Sequence, residues 1–151
     1  FVREKMDELK TSGKYVVPLD MLAKAGIAAG YADEEATKMA IDCFFDSYNY
    51  PLDTHTAVAV TVYNNYVAET GDFTPTVIVA TASPFKFPSD VYGALAHEKA
   101  PDPFIAADKL AFISGIKVPD AIRSLLTKNI VHDKVVEKDK IDEAVLSLTE
   151  E

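Results

Sequence analysis

One run of seven residues constrains the fold more than any other part of this sequence. Thr76-Val77-Ile78-Val79-Ala80-Thr81-Ala82 follows a proline, is almost continuously apolar and lacks the alternation of a strand with one wet face. Such a run is typical of a strand covered on both faces, as in a parallel sheet flanked by helices. Together with a short β-branched stretch at residues 15–17, it predicts an α/β domain, rich in helix, with a small, mostly parallel sheet that includes residues 77–81.

Helical periodicity dominates the rest of the chain. Asp33 precedes two glutamates and an apolar stripe at spacings of three and four, which predicts a helix capped by Asp33. Cys43 falls on that stripe, so we expect it to be a small buried hydrophobe. Residues 55–67 are β-branched, but their length and alanine content favour helix over strand. Further helices are expected at residues 2–10, 89–98, 102–114, 119–129 and from Asp139 onward.

Length and charge limit the classes of protein to consider. The chain has 151 residues, and 15 Lys plus Arg against 24 Asp plus Glu give a formal net charge of −9. One domain over residues 1–151 is the expectation, and the acid excess argues against binding to duplex nucleic acid or to an anionic membrane surface. No apolar run approaches the roughly 18 to 20 residues that cross a bilayer, and a lone cysteine cannot form an internal disulfide. We expect a cytoplasmic protein.

The sequence offers little for metal or nucleophilic chemistry. Its three histidines, at positions 55, 97 and 132, lack the spacing that places two ligands on one helix face, so no metal site is predicted. His97 and His132 are expected at the surface near helix ends. No phosphate-binding glycine loop and no nucleophile elbow is present.

Two polar stretches remain as candidates for a functional site. In Asp53-Thr54-His55-Thr56-Ala57-Val58-Ala59 a helix begins within a cluster of polar groups. Ala80-Thr81-Ala82-Ser83-Pro84-Phe85-Lys86-Phe87 follows the predicted strand, at the position where open α/β sheets bind ligands. Taken singly, helix capping and turn formation explain each stretch better than a binding role does.

Taken together and in this order, the two stretches resemble the carboxyl-terminal motifs of threonine synthases. That family has Asp-Pro-His-Thr-Ala-Val-Ala at a helix start, followed by a strand that ends in Ser-Thr-Ala-x-Pro-x-Lys-Phe. This chain departs from the family pattern at Thr54 and Ala80. Its segment Gly30-Tyr31-Ala32-Asp33-Glu34-Glu35-Ala36-Thr37 is similar to the family's segment before that helix, so the resemblance covers roughly residues 1–98.

The resemblance implies a fold-type-II enzyme, like the tryptophan synthase β subunit, that binds pyridoxal 5'-phosphate between two domains. Such an enzyme converts O-phospho-L-homoserine and water into L-threonine and phosphate. The family's aldimine lysine lies in a Phe-Lys-Asp motif, which this sequence lacks. We therefore expect the C-terminal portion of a larger enzyme, with no catalytic residue of its own and no activity alone. Two alternatives stay open: another pyridoxal-phosphate lyase or synthase, and a noncatalytic interaction domain.

The resemblance also implies roles for five residues. Thr81 matches the hydroxyl that faces the pyridine nitrogen of the cofactor, and Ser83 is a second cofactor-binding candidate. His55 and Thr56 match a helix start whose N–H groups and hydroxyl could hold an anionic ligand, with a capping or core-contact role as the alternative for His55. Lys86 is a further candidate for the substrate pocket. The implied partners are the substrate, the missing N-terminal part and, through an exposed strand edge, further copies of the chain.

Overall fold

The computed structural model describes residues 1–100, 102–131 and 135–147. The chain divides into two compact units, Phe1–Val118 and Pro119–Glu151. The first unit contains α1 (Val2–Ser12), α2 (Leu19–Ala25), α3 (Glu34–Tyr48), α4 (Thr54–Thr70), α5 (Pro88–Ala96) and α6 (Pro103–Ser114). The second contains α7 (Asp120–Arg123) and α8 (Ile141–Ser147). None of the helices within the described ranges is long and apolar enough to cross a bilayer.

The predicted α/β class is wrong, because the described residues contain helices but no strand and no sheet. Residues 15–17 and 77–81 have no regular secondary structure, and the side chains of Val77 and Val79 are 87% and 72% exposed. A strand forms only where a neighbouring backbone takes up its N–H and C=O groups. No backbone hydrogen bond from the described part of the chain reaches residues 77–81. Composition made this run β-prone, but the structure supplies no partner strand for it.

Three aspartates start the main helices of the first unit. The Oδ1 atom of Asp33 accepts a hydrogen bond from the backbone N–H of Ala36 at 2.8 Å, as predicted for α3. Asp53 and Asp102 cap α4 and α6 in the same way. Each carboxylate satisfies N–H groups that the first helical turn leaves without a partner. The choice of helix over strand for residues 55–67 is confirmed.

Four helices, α3 to α6, form the core of the first unit. Helix α3 packs against α4 and α5, and α5 packs against α6. The core combines small alanine side chains with larger branched and aromatic ones. Its buried apolar residues in these helices are Ile41, Ala57, Val60, Val91, Tyr92, Ala94, Ala106, Ala107 and Leu110.

The expected burial of Cys43 is wrong, because its thiol is exposed. Ile41 is the fully buried residue of α3, and Met39 on the predicted stripe is 65% exposed. Helix α3 is therefore rotated relative to the stripe that its sequence suggested. Apolar residues occur on two overlapping faces of this helix, and packing against both α4 and α5 selected the face that contains Ile41.

The second unit is less regular than its sequence predicted. Pro119 is the N-cap residue of α7, and the chain after Arg123 tightens into a 3₁₀ turn, Ser124–Leu126, where a helix to residue 129 was expected. Asp139 lies within the 3₁₀ turn Lys138–Lys140 that leads into α8, so it is not the residue directly before that helix. His132, the expected surface histidine, lies outside the described residues.

Candidate functional site

A buried aspartate organises the start of α4. Asp53 is 2% exposed, and its Oδ1 accepts hydrogen bonds from the backbone N–H groups of His55 at 2.9 Å and Thr56 at 3.3 Å. Its Oδ2 accepts the hydroxyl proton of Thr56, which is also buried. Pro51 and Leu52, both buried, anchor the chain just before the cap. The carboxylate thus fixes the backbone and the Thr56 side chain in one arrangement.

His55 projects outward from this cap. Its side chain is 63% exposed, and Nδ1 lies 3.4 Å from Oδ1 of Asp53 and 3.4 Å from the hydroxyl oxygen of Thr54. The imidazole packs against the ring of Phe87, with 5.0 Å between the ring centroids. The contacts with Asp53, Thr54 and the Phe87 ring hold the orientation of the imidazole while leaving it open to solvent.

The second polar stretch forms a compact turn. The Ser83 hydroxyl oxygen accepts a hydrogen bond from the N–H of Phe85 at 3.3 Å and so caps the 3₁₀ turn Pro84–Lys86. Phe85 is 2% exposed and anchors the turn in the core. Lys86 points outward, with Nζ 5.9 Å from the centroid of the Phe87 ring.

The structure therefore brings His55 and Lys86 to the same aromatic side chain. Phe87 is the last residue of the second motif, and its ring contacts His55 of the first. It was not among the candidate site residues predicted from the sequence. An aromatic residue directly after a lysine was the available signal, but only the fold shows that its ring faces α4. The arrangement joins an imidazole, an ammonium group and a ring face. The imidazole and the ammonium group can donate hydrogen bonds to a ligand that carries phosphate or carboxylate, and the ring face packs against both groups.

Thr81 and Thr56 stand apart from that cluster. Thr81 is exposed, in the irregular segment before the turn, and contacts none of the other candidate residues through a hydrogen bond in the described structure. The hydroxyl proton of Thr56 is taken by Asp53, and so are the N–H groups of His55 and Thr56. Anion binding at this helix start would therefore rest on the side chains of His55 and Lys86.

The described residues contain no group of three or more His, Cys, Asp or Glu side chains arranged to hold a metal ion.

Comparison with known protein families decides which proteins this chain resembles. Residues 56–130, about half of the chain, match the family model described as threonine synthase, C-terminal. This half of the chain belongs to the threonine synthase C-terminal family. No curated protein matches the chain.

The match to the threonine synthase C-terminal family confirms the resemblance seen in the two motifs. It starts at Thr56, within the first motif, and contains the whole of the second, including Thr81, Ser83 and Lys86. It also continues through α5 and α6 to residue 130, beyond residue 98, where the resemblance seen in the sequence ends. The family assignment therefore rests on the helical core as well as on the candidate site.

Proposed function

We propose that this chain is the C-terminal portion of a larger threonine synthase that converts O-phospho-L-homoserine and water into L-threonine and phosphate. The observation that carries the proposal is the family match over residues 56–130. The meeting of His55 and Lys86 at Phe87 supports it, because those side chains suit an anionic substrate.

The proposed cofactor is pyridoxal 5'-phosphate, and the polar groups of the second motif are compatible with it. The Thr81 hydroxyl is exposed, and the Ser83 hydroxyl accepts a hydrogen bond but keeps its own proton to donate. Thr81 would donate to the ring nitrogen, and Ser83 would hold a second polar group of the cofactor. When bound, the cofactor supplies an electron sink for carbanion chemistry. A lysine outside this chain would hold it covalently.

The chain's own residues bind and orient the substrate in this proposal. The Lys86 ammonium and the His55 imidazole hold the substrate's phosphate or carboxylate oxygens. Asp53 is a positioning residue, because it fixes the helix start from which His55 projects. Phe87 keeps the imidazole in place and shields one side of it from water. These roles lower the entropic cost of orienting the substrate.

The direct test measures phosphate release from O-phosphohomoserine by the full-length protein and by the isolated 151-residue chain. We expect release by the full-length protein and none by the isolated chain. Release by the isolated chain would refute the assignment of catalysis to residues outside it. A full-length protein that releases no phosphate would contradict the proposed reaction and favour a different substrate or a noncatalytic role.

The role of Thr81 is tested by Thr81→Asp, with Thr76→Asp as the matched control in the same irregular segment. A carboxylate opposite the ring nitrogen would keep that nitrogen protonated and change the electron sink. We expect Thr81→Asp to lower turnover at least tenfold, which is about 1.4 kcal/mol in the barrier, and the control to leave turnover unchanged. Equal turnover for both variants would remove Thr81 from the site.

A further inference from the structure

A groove between α3 and α5 has no role in the function proposed above. It consists of two adjoining cavities of about 530 and 260 Å³ that share Lys38, Gly93 and His97 in their walls. Both helices belong to the first unit and pack directly against each other. The groove therefore lies within the first unit, between two helices that pack against each other.

An unusual backbone conformation places His97 over this groove. His97 ends α5 with φ 53°, in the left-handed region that favours glycine, and the other non-glycine residue of the described chain with positive φ is Asn49. Its Nε2 atom lies 3.4 Å from Oδ2 of Asp42 on α3. Non-glycine residues adopt this conformation at a cost in free energy, and here it accompanies a side-chain contact between the end of α5 and α3.

Charged groups of opposite sign stand toward the two ends of α5. Ser89 and Asp90 lie in its first turn, and Lys99 lies three residues beyond its last residue, Ala96. The side chains of these three residues make no hydrogen bond or ion pair with the rest of the described chain. The other carboxylates of the groove are engaged, since Asp42 faces His97 and Glu98 binds Tyr92 and Lys109.

Gly93 keeps the middle of the groove open. A Cβ atom built there would meet only the backbone oxygen of Glu98, at 3.5 Å, which is an ordinary contact. Packing of α5 therefore does not require glycine at this position. The missing side chain leaves room in both cavities instead.

We propose that this groove binds a small zwitterion of the dipeptide class. The ligand's ammonium group would lie at Asp90 and the Ser89 hydroxyl, and its carboxylate at Lys99. Lys38 and His97 line the same groove but face Glu34 and Asp42 at 4.0 and 3.4 Å, so they are secondary partners. Asp90 and Ala96, the last residue of α5, are separated by roughly 9 Å along the helix axis, and Lys99 lies three residues further along the chain. The long lysine side chains shorten that span, so a dipeptide fits better than a single amino acid, whose charged groups are separated by one carbon.

The test is an amide NMR titration of the ¹⁵N-labelled 151-residue chain with glycylglycine. We expect saturable shifts in residues 38–42 and 89–99. N-acetyl-glycylglycine, which lacks the ammonium group, and glycylglycine amide, which lacks the carboxylate, should each bind at least tenfold more weakly. Absence of saturable shifts up to 50 mM ligand, or equal binding of the blocked ligands, would overturn the proposal.

Substitutions in the groove test whether the ligand binds there. Asp90→Asn and Lys99→Gln should each weaken binding at least fivefold, and Gly93→Leu should abolish it by filling both cavities. Asp46→Asn and Lys14→Gln are matched controls at exposed positions outside the groove. The exchanged groups of Asp90 and Lys99 are exposed, so these variants are expected to fold like the parent chain. Unchanged affinity in both would contradict the proposed site even if Gly93→Leu failed to fold.

Discussion

At the scale of single residues, the same residue type performs the same capping role in two different environments. Asp33 caps α3 from an exposed position, whereas Asp53 caps α4 from the interior, where it also accepts the Thr56 hydroxyl proton. The buried Asp53 carboxylate is tolerated because it accepts three hydrogen bonds, from two backbone N–H groups and one hydroxyl. The cost of removing each aspartate should therefore differ although their local roles are alike.

We predict that Asp53→Ala destabilises the chain by about 2–3 kcal/mol, the sum of a lost cap and a buried hydroxyl left without its acceptor. Asp33→Ala, the matched control, should cost about 1 kcal/mol. Urea unfolding followed by circular dichroism measures both free energies of unfolding. Equal losses would show that burial of Asp53 adds nothing to its role as a cap.

His55 and Lys86 carry a second prediction at this scale, which rests on the proposed function. In the full-length protein, Lys86→Ala and His55→Ala should each raise KM for O-phosphohomoserine about tenfold, because each removes a charge-assisted contact. Lys10→Ala, at an exposed position in α1, is the control and should leave KM unchanged. Steady-state phosphate release gives the constants, and a KM that stays constant in both site variants would exclude them from substrate binding.

At the scale of helices, one polar contact joins α5 to α6. The hydroxyl of Tyr92, which is 4% exposed, donates to Oε1 of Glu98, and Nζ of Lys109 donates to both, at 3.1 and 3.0 Å. The Tyr92 hydroxyl and then the Lys109 ammonium lower the pKa of Glu98 below its ordinary value of 4.5. The helices are thus joined through the ionised form of this carboxyl group.

This contact predicts a pH dependence of stability. A carboxyl group whose pKa is lower in the folded state stabilises the fold fully above the unfolded value of 4.5, and that contribution is lost as pH falls through the folded pKa. We expect Glu98→Gln to remove this part of the decrease in Tm below pH 4.5. Glu35→Gln, at an exposed position on α3, should leave the decrease intact. Identical pH profiles for Glu98→Gln and the parent chain would contradict the assignment.

A glycine in the loop before α3 allows close approach to α4. A Cβ atom at Gly30 would lie 2.9 Å from Cγ1 of Val62, a stiff β-branched side chain that cannot easily move aside. Gly30→Ala should therefore destabilise the chain by about 1–2 kcal/mol, and Val62→Ala should relieve most of that loss in the double variant. Gly93→Ala is the control and should stabilise α5 by about 0.5–1 kcal/mol. Thermal unfolding of the four variants tests the contact.

At the scale of the whole molecule, the sequence predicted the helices well and the fold class badly. Aspartate caps and repeats of three and four residues are local signals, and they located α3, α4 and α6. The run at residues 77–81 failed as a strand because pairing depends on residues distant in sequence. Dependence on residues distant in sequence also explains why the candidate site was only partly predicted. The two motifs were evident, but their meeting at Phe87 depends on how the turn packs beside α4.

The two compact units should differ in their ability to fold alone. The first contains the buried core, whereas none of the described residues after Val118 is buried. We predict that a chain ending at Val118 unfolds cooperatively with the helical circular dichroism of α3–α6, because its apolar burial is retained. A peptide of residues 119–151 should show little helix, since isolated helices this short are marginal in water. Loss of cooperative unfolding in the truncated chain would contradict this division.

The exposed run at residues 76–82 has a consequence for handling the protein. Seven consecutive residues without charge, rich in valine, isoleucine and threonine, have the composition of segments that stack into amyloid-like fibrils. Most of their side chains face solvent, and neither a helix nor a paired strand protects their backbone. We therefore predict that a single lysine in place of Val79 delays fibril formation in a thioflavin assay without changing the helical core.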